Sequence, residues 1–468
     1  MKIDIAIIQL LTPEQAWFFK VIPLRKDGNQ IILLHTKPLH TQQEELEILL
    51  NASIQFETIE EQILIELLNK YYRNKHTVST KQIDSSFAQN GDFVESLIQE
   101  ALQLGSSDIH LEPLETKAKV RFRIDGKLID RHSFDLIKYA ELVNRVKIKA
   151  NLDISEKRLP QDGRILTKIN NQKLDLRISI LPTLNGEKIV LRLLGTNAEN
   201  LDLEQLGLYK EDLEKYLLSI CKPNGIILIS GPTGSGKTTT LYATLKLLNK
   251  PDVNIMTIED PVEYTLNGIN QVQVKESIGL TFAFSLRSFL RQDPDIIMVG
   301  EIRDKQTAEL AIRASLTGHL VLSTIHTNSA WGTINRLKDM DIPSFLIADT
   351  LNCSVAQRLL RTLCPACKQQ MHANELPEEI NKYINQEEKK HYCKAIGCEQ
   401  CFYTGYSGRK AIYEIINIDE NAREQIKQSH NKNTLSNNTY RTLQDNALHL
   451  FQQGITSWEE VYPILISK

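Results

Sequence analysis

The sequence contains no apolar run that approaches the roughly 20 residues needed to span a bilayer. Its first nine residues are apolar but are broken by Asp4 and Gln9, and no basic leader precedes an uninterrupted apolar core, so we do not expect a signal peptide. Positive charge is not in excess, because 55 Lys and Arg face 58 Asp and Glu for a net charge of −3. A basic patch interleaved with aromatic residues is also absent, which argues against direct binding of nucleic acid. These absences predict a cytoplasmic protein.

Cysteine is scarce as well: the total of seven is odd and modest, which does not fit a disulfide framework and indicates a reducing compartment. Four of the seven form two C-x-x-C pairs separated by thirty residues, Cys364 with Cys367 and Cys398 with Cys401. Because structural zinc favours four thiolates, this quartet predicts a zinc staple without a catalytic role. A redox pair or four unrelated thiols is the alternative, and His391 and Cys393 are less well spaced substitute ligands. Cys221 and Cys353 are expected to be buried.

A chain of 468 residues is too long for one ordinary core and predicts two to four domains. Residues 1–75, with two helical patterns around Glu44–Leu50 and Ile59–Tyr72, form a first block. A polar linker is expected at 76–92, because Ser, Thr, Asn and Gln dominate there. Residues 93–198 are predicted to form a small α/β domain, and 199–207 a short connector.

The last block, 208–468, alternates four apolar strands with helical segments: Gly225–Ser230, Asn254–Ile258, Ile296–Val299 and His319–Thr324. This alternation predicts a doubly wound α/β domain with a mostly parallel sheet. Ligands of such sheets bind at the carboxyl ends of the strands, so polar residues that follow these strands are the first candidates for a site.

The first of these strands runs into a complete G-x-x-x-x-G-K-[ST] motif and then into a predicted helix. The residues expected to bind nucleotide are Gly231, Pro232, Thr233, Gly234, Ser235, Gly236, Lys237, Thr238 and Thr239. The glycines let backbone N–H groups face a phosphate, and the helix N-terminus adds positive potential. Lys237 is expected to bridge the β- and γ-phosphates of ATP, and Thr238 to coordinate Mg²⁺. A chance glycine-rich turn is the alternative.

Polar clusters follow the other three strands: Glu259–Glu263, Gly300–Asp304 and His326–Asn328. Acids at strand ends are commonly solvated loop residues, but three clusters beside one phosphate loop favour a shared site. The third strand is followed by Gly300, where many phosphate-loop nucleotidases place an aspartate that helps to hold Mg²⁺. The acid comes one residue later, as Glu301, which leaves open who holds the metal and who activates water.

In order, the segments GPTGSGKT, TIEDPVE, RQDPDIIMVGEIRD and STIHTN resemble the motifs of the secretion and type IV pilus assembly ATPases. Ser107–Pro113, Arg158–Arg164, Gly397–Cys401 and Gly405–Arg409 extend the resemblance over residues from about 90 to about 420. It implies a RecA-like doubly wound P-loop ATPase domain. A smaller PAS-like α/β domain that closes on the nucleotide would precede it, after a short N-terminal α/β domain that docks a partner.

The resemblance also implies roles for single residues. Glu263 and Glu301 would orient water or metal, and His326 would sense the γ-phosphate; the sequence leaves open which glutamate is the base. Arg164 and Arg177 of the preceding domain would reach the nucleotide on domain closure. Further arginine candidates are Arg287, Arg291 and Arg303. In this family Gly300 is the usual residue, so Mg²⁺ would be held mainly by Thr238 and the phosphates.

At the level of function, the resemblance implies a hexameric ATPase that drives assembly of a pseudopilus or pilus. Its partners would be an inner-membrane platform protein and a cytoplasmic docking protein, so that it is peripheral to the inner membrane. The cysteine quartet is typical of the assembly branch, whereas retraction motors usually lack it. A nucleic-acid translocating motor and a non-catalytic nucleotide switch are the other hypotheses, and the retained glutamates and histidine favour turnover over a switch.

Overall fold

The structure is a computed structural model that divides into two compact units, Met1–Leu193 and Leu194–Lys468. The residues it describes are 7, 10–11, 13–28, 30–36, 40–50, 52–61, 63–64, 67–68, 81–82, 93–169, 172–194, 202–371, 376, 380, 383, 391–428 and 440–466. Among these residues, no helix combines the length and the apolar character that crossing a membrane requires. The two units are described separately.

The first unit begins with a three-stranded sheet. Its elements are α1 (Pro13–Phe19), β1 (Ile22–Asp27), β2 (Gln30–His35), α2 (His40–Leu50) and β3 (Ser53–Thr58). Strand β2 is central, antiparallel to β1 and parallel to β3. Helix α2 contains the pattern predicted around Glu44–Leu50, whereas half of the residues of Ile59–Tyr72 lie outside the described residues. The predicted linker 76–92 also lies outside them, except for β4 (Lys81–Gln82).

A seven-stranded sheet forms the rest of the first unit. Its elements are α3 (Phe93–Gln103), β5 (Ser106–Pro113), β6 (Ala118–Ile124), β7 (Lys127–Phe134), α4 (Leu136–Lys149), β8 (Gln161–Ile169), β9 (Gln172–Thr183) and β10 (Gly186–Leu194). The strand order is β4-β7-β6-β5-β10-β9-β8. Strand β5 was not predicted, although its residues Ile109, Leu111 and Pro113 alternate with Asp108, His110 and Glu112 as in a half-buried strand.

Ion pairs explain why strand β5 carries buried acids. Asp108 contacts Arg192 of β10 at 3.0 Å, and Glu112 contacts Lys188 of the same strand at 2.8 Å. On the helical side, Ile109 and Leu111 join the core with residues of α3 and α4. A further pair joins this helical layer to β7: Glu100 lies 2.5 Å from Arg131 and 2.6 Å from His132.

The second unit is built on another seven-stranded sheet. Its strands are β11 (Gly225–Ser230), β12 (Ile255–Glu259), β13 (Asn270–Gln273), β14 (Ile296–Val299), β15 (Leu320–Ile325), β16 (Leu351–Leu363) and β19 (Tyr406–Asn417), in the order β13-β12-β14-β15-β11-β16-β19. Every neighbouring pair is parallel except β16 with β19. The four predicted strands are confirmed and lie side by side in the middle. Between β16 and β19 come the two short strands β17 (Gln369–Gln370) and β18 (Cys393–Lys394).

Helices cover both faces of this sheet. They are α5 (Lys210–Ile220), α6 (Lys237–Leu248), α7 (Phe282–Phe289), α8 (Lys305–Leu316), α9 (Ala330–Asp339), α10 (Ser344–Thr350), α11 (Glu420–Gln428), α12 (Leu443–Gln452) and α13 (Trp458–Ile466). Alternate residues of β11 enter opposite cores: Ile227 and Ile229 pack with α5 and α6, and Leu228 packs with α7, α8 and α9. Burial on both faces explains why the central strands read as unbroken apolar runs.

Candidate active site at the carboxyl edge of the sheet

The phosphate loop leaves β11 at Gly231 and enters α6 at Lys237. Three of its residues, Gly231, Gly234 and Gly236, have positive φ angles of 150°, 78° and 89°. A Cβ on Gly231 would stand 2.5 Å from the carbonyl oxygen of Gln357, so the loop passes β16 too closely for any other residue. The glycines therefore serve both the turn and the packing, as the motif requires.

Two side chains of this loop fit a phosphate group. The Lys237 ammonium is half-buried and donates to the carbonyl oxygens of Gly231 and Pro232, at 2.9 and 3.1 Å. Burial lowers the pKa of Lys237. The buried Ser235 hydroxyl has no hydrogen-bond partner among the described residues. An anion at this helix N-terminus would supply the acceptor that both groups suit.

Glu301 brings the loop after β14 to the same edge. Its carboxylate is 15% exposed; Oε1 lies 2.6 Å from Arg303 and Oε2 lies 3.5 Å from Nε2 of His326. Burial lowers the pKa of Lys237, and the negative charge of Glu301 opposes that effect. The structure thus brings together the lysine of the phosphate loop, the acid after β14 and the histidine after β15. Their catalytic roles remain proposals.

Close packing against strand β12 explains why the residue before Glu301 is a glycine, Gly300. The Gly300 N–H donates to the carbonyl oxygen of Ile258 at 2.7 Å, which extends the β12–β14 pairing by one residue. A Cβ on Gly300 would lie 3.2 Å from that oxygen and 3.3 Å from Cα of Glu259. A side chain here would press on the neighbouring strand, so the acid stands at the next position.

Glu263 lies in the loop after β12 and is half-buried. Its backbone N–H donates to the hydroxyl of Tyr242 on α6, at 3.4 Å. Burial raises the pKa of Tyr242 and of the buried Glu259, and the negative charge of Glu263 adds to both rises. This loop is therefore connected to the helix that starts at the phosphate loop.

The cysteine quartet forms one cluster. The ligand atoms of Cys364, Cys367, Cys398 and Cys401 all lie within 4.8 Å of one another. The sulfur of Cys401 accepts N–H bonds from Cys398 and Gly405 at 3.2 Å each, and that of Cys367 accepts one from Gly397 at 3.3 Å. Backbone donors aimed at sulfur suit thiolates, the form that binds metal. Four thiolates are the ligand set of a structural zinc site.

Residues 84–463 match the family described as type II/IV secretion system protein. The chain belongs to this family. The type II secretion system ATPase E of Vibrio cholerae is 45% identical over 373 residues, covering 79% of this chain and 74% of that protein. The type IV pilus assembly ATPase PilB of Myxococcus xanthus is 40% identical over 492 aligned positions, covering 97% of this chain and 86% of that protein.

Solved structures agree on the architecture. The ATPase DotB of Legionella pneumophila aligns with a TM-score of 0.58 at 21% identity, over 80% of this chain and 95% of that one. The pilus retraction motor PilT with bound ADP aligns with a TM-score of 0.52 at 26% identity, over 80% and 96%. The predicted fold class, a RecA-like doubly wound domain behind smaller α/β parts, is confirmed.

The arginines proposed for this secretion-family chain have different surroundings. Arg164 on β8 and Arg177 on β9 are directly paired in the sheet of the first unit. Arg164 makes a two-pronged ion pair with Asp175, with Nε 2.6 Å from Oδ1. Arg303 contacts Glu301, whereas the guanidinium of Arg291 donates to the carbonyl oxygen of Arg287 at 3.1 Å. Roles at the nucleotide stay predictions for all of them.

Arg358 is a site residue that was not predicted from the sequence. This half-buried guanidinium on β16 donates to the carbonyl oxygens of Gln357 and Asn328, at 3.0 and 2.9 Å. One of its nitrogens lies 3.1 Å from the Cβ position of Gly231, and burial lowers the pKa of Arg358. It therefore bonds to the loop after His326 and lies beside the phosphate loop. Neither β16 nor its antiparallel neighbour β19 was predicted as a strand, so no strand-end pattern pointed to this residue.

The three cysteines outside the quartet differ in their burial. Cys353 is buried in β16, as expected, whereas Cys221 is exposed, because it follows α5 at the C-cap position. Cys393 lies on β18 and is buried, but it is not part of the four-sulfur cluster. The quartet predicted from spacing is therefore the set that the fold assembles.

Proposed function

We propose that this chain is a hexameric ATPase that couples ATP hydrolysis to assembly of a pseudopilus or pilus, in type II secretion or type IV pilus biogenesis. ATPase activity follows from membership of the family and from the names of its relatives, a secretion ATPase and a pilus assembly ATPase. The observation that carries the proposal is the meeting of Lys237, Glu301 and His326 at the carboxyl edge of one sheet.

Separate residues are proposed to contact the phosphates, the metal and the attacking water. The backbone of 231–236, the Ser235 hydroxyl and Lys237 hold the phosphates. Thr238, half-buried in the first turn of α6, would hold Mg²⁺, and that ion would supply positive charge against the phosphates. Glu301 and Glu263 would orient the attacking water or the metal, and His326 would donate to the γ-phosphate.

Arg164 and Arg177 are proposed to stabilise phosphate charge when residues 93–198 close on the nucleotide. For Arg164 this role requires its pair with Asp175 to open or to be shared. The platform and docking proteins named by the resemblance remain the proposed partners, and they would hold the ATPase at the cytoplasmic face of the inner membrane. Zinc in the cysteine quartet is structural in this scheme.

The test is ATP hydrolysis by purified full-length chain with Mg²⁺. Lys237→Ala should lower turnover by about 100-fold or more, because a charge contact to the transition state is lost. Lys246→Ala is the matched control, since Lys246 lies on the same helix and pairs with Asp202 at 3.0 Å, and it should leave turnover unchanged. Equal turnover of Lys237→Ala and parent would refute the ATPase assignment.

Two glutamate variants separate positioning from chemistry. Glu263→Gln and Glu301→Gln should both keep nucleotide binding, and the variant that removes the general base should show the larger loss of turnover. Stimulation of hydrolysis by DNA but not by a platform protein would favour the nucleic-acid motor instead. Pilus retraction is less favoured, because the secretion and assembly ATPases named above are 45% and 40% identical to this chain, whereas the retraction motor PilT is 26% identical.

A further inference from the structure

The end of β12 carries a buried carboxylate with no place in the mechanism above. Glu259 is 3% exposed and lies four positions before Glu263. In the sequence the two acids belong to one polar cluster and look alike. In the structure they are in different environments, because Glu259 faces inward and Glu263 is half-buried in the loop.

Glu259 is fully engaged by donors. Thr257 donates to Oε1 at 2.6 Å and Gln271 donates to the same oxygen at 3.1 Å, while the Tyr242 hydroxyl makes a short hydrogen bond to Oε2. Burial raises the pKa of Glu259, and the three donors oppose that effect. A carboxylate with donors on both oxygens and almost no exposed surface has no free side for an attacking water. Its geometry suits an anchor.

The same donors continue into the loop that carries Glu263. The Tyr242 oxygen that donates to Glu259 also accepts the N–H of Glu263, at 3.4 Å. Gln271 donates to the carbonyl oxygen of Tyr264 at 3.1 Å and accepts the N–H of Leu266 at 2.7 Å. Three backbone groups of the loop, on residues 263, 264 and 266, are thus connected to Glu259 through the side chains of Tyr242 and Gln271.

Aromatic packing supports the connection. The rings of Tyr242 and Tyr264 meet edge to face, with centroids 4.6 Å apart and planes at 73°. Tyr242 lies five residues after Lys237 on α6, which is about 7.5 Å along a helix axis. The helix that begins at the phosphate loop therefore also holds the Glu263 loop.

We propose that Tyr242 and Glu259 are positioning residues that fix Glu263 relative to the phosphate loop. Neither touches the reacting atoms; they act through the backbone of residues 263–266. The proposal rests on the ATPase function above and assigns to that site a support that the motifs do not reveal.

The closing experiment compares two tyrosine variants in the full-length chain. Tyr242→Phe keeps the ring against Tyr264 but removes the hydroxyl that joins Glu259 to Glu263. It should lower kcat about tenfold or more, because misplacing a catalytic group by a fraction of an ångström is costly, with KM for ATP changed by less than about twofold. Glu259→Gln should give the same split, and the double variant should be little worse than the poorer single one.

Tyr216→Phe is the matched control. Its hydroxyl is also buried and also bonds to α6, at 2.8 Å from the Thr244 hydroxyl, but the bond lies away from the Glu263 loop. It should leave kcat and KM within about twofold of the parent, whatever stability it loses. Equal kcat losses in Tyr216→Phe and Tyr242→Phe, a rise in KM alone, or no loss in Tyr242→Phe would each overturn the positioning role while Lys237-dependent turnover of the parent stands. Failure of the parent to hydrolyse ATP would instead overturn the proposed function, and this inference with it.

Discussion

Replacing Cys401 with serine should release one zinc ion per chain, whereas replacing Cys393 should release none. The basis is distance: the Sγ atoms of Cys364 and Cys398 lie 3.9 Å apart, and Cys401 lies 3.8 Å from both Cys367 and Cys398. A tetrahedral zinc with bonds of about 2.3 Å requires sulfurs about 3.8 Å apart. These three sulfur–sulfur distances match the spacing that zinc requires, and all four sulfurs lie within 4.8 Å of one another.

The magnitude follows from what the quartet ties together. Strand β16 ends one residue before Cys364, and the Leu363 N–H donates to the Ile455 carbonyl oxygen between α12 and α13 at 2.7 Å. Zinc binding in small structural sites is worth about 10–16 kcal/mol, most of which a larger domain does not need for folding. If only about 3 kcal/mol stabilises the second unit, losing the metal should lower its Tm by about 6–12 °C.

The assay is metal content by elemental analysis of protein purified without chelator, followed by thermal unfolding. Cys393→Ser is the matched control, because this buried thiol lies in the same region but outside the cluster. The parent and Cys393→Ser should each hold one zinc per chain, and Cys401→Ser should hold much less. Zinc loss in Cys393→Ser equal to that in Cys401→Ser, or a parent with no zinc, would refute the assignment.

Three further outcomes are expected. Gly300→Ala should destabilise the second unit by about 1–3 kcal/mol and slow turnover, because its Cβ would lie 3.2 Å from the Ile258 oxygen; an unchanged denaturation midpoint and rate would contradict this. Arg358→Ala and Arg358→Lys should both raise KM for ATP, since only the guanidinium donates to both Asn328 and Gln357; a KM for Arg358→Lys equal to that of the parent in an ATPase titration would contradict this. Burial raises the pKa of Glu100, but hydrogen bonds from its β7 partners outweigh burial and bring it from 4.5 to about 2. The contribution of Glu100 to the free energy of unfolding is therefore complete above the unfolded pKa and is lost as pH falls from 4.5 towards 2. In urea unfolding, Glu100→Gln should lower the free energy of unfolding by at most about 3 kcal/mol at pH 7 and by less at pH 3. A loss of stability that does not depend on pH would contradict the role of these ion pairs.

The central strands and the phosphate loop could be predicted because each carries its own signal. An unbroken apolar run such as Ile296–Val299 indicates a strand buried on both faces, and the full motif after β11 indicates the turn that follows. Glu263, Glu301 and His326 were expected at one sheet edge by the rule for parallel strands. The structure places Glu301 3.5 Å from His326 at this edge, whereas Glu263 contacts Tyr242 on α6.

Strand β16 could not be found in this way, although it is buried along most of its length. Its buried positions include polar side chains whose partners are distant in sequence. Asn352 donates to the carbonyl oxygen of Asn224 at 2.8 Å, Ser354 to that of Ala330 at 2.8 Å, and Gln357 accepts from Thr240 at 2.9 Å. Each polar residue breaks the apolar pattern, and Arg358 was missed with the strand that carries it.

The acids at the strand ends show the same limit more sharply. Glu259 and Glu301 each follow an apolar run, yet the first is sealed inside by Tyr242 and Gln271 and the second faces Arg303 and His326. The apolar run of a strand predicts that an acid lies at its end. It does not predict which side chains contact that acid, because these come from other segments of the chain. For Glu259 the decisive partner is a helix residue seventeen positions earlier. The Tyr242 hydroxyl bonds to Glu259 and also to the backbone of Glu263. Removing this hydroxyl in Tyr242→Phe therefore tests whether Glu259 positions Glu263 without itself taking part in the reaction.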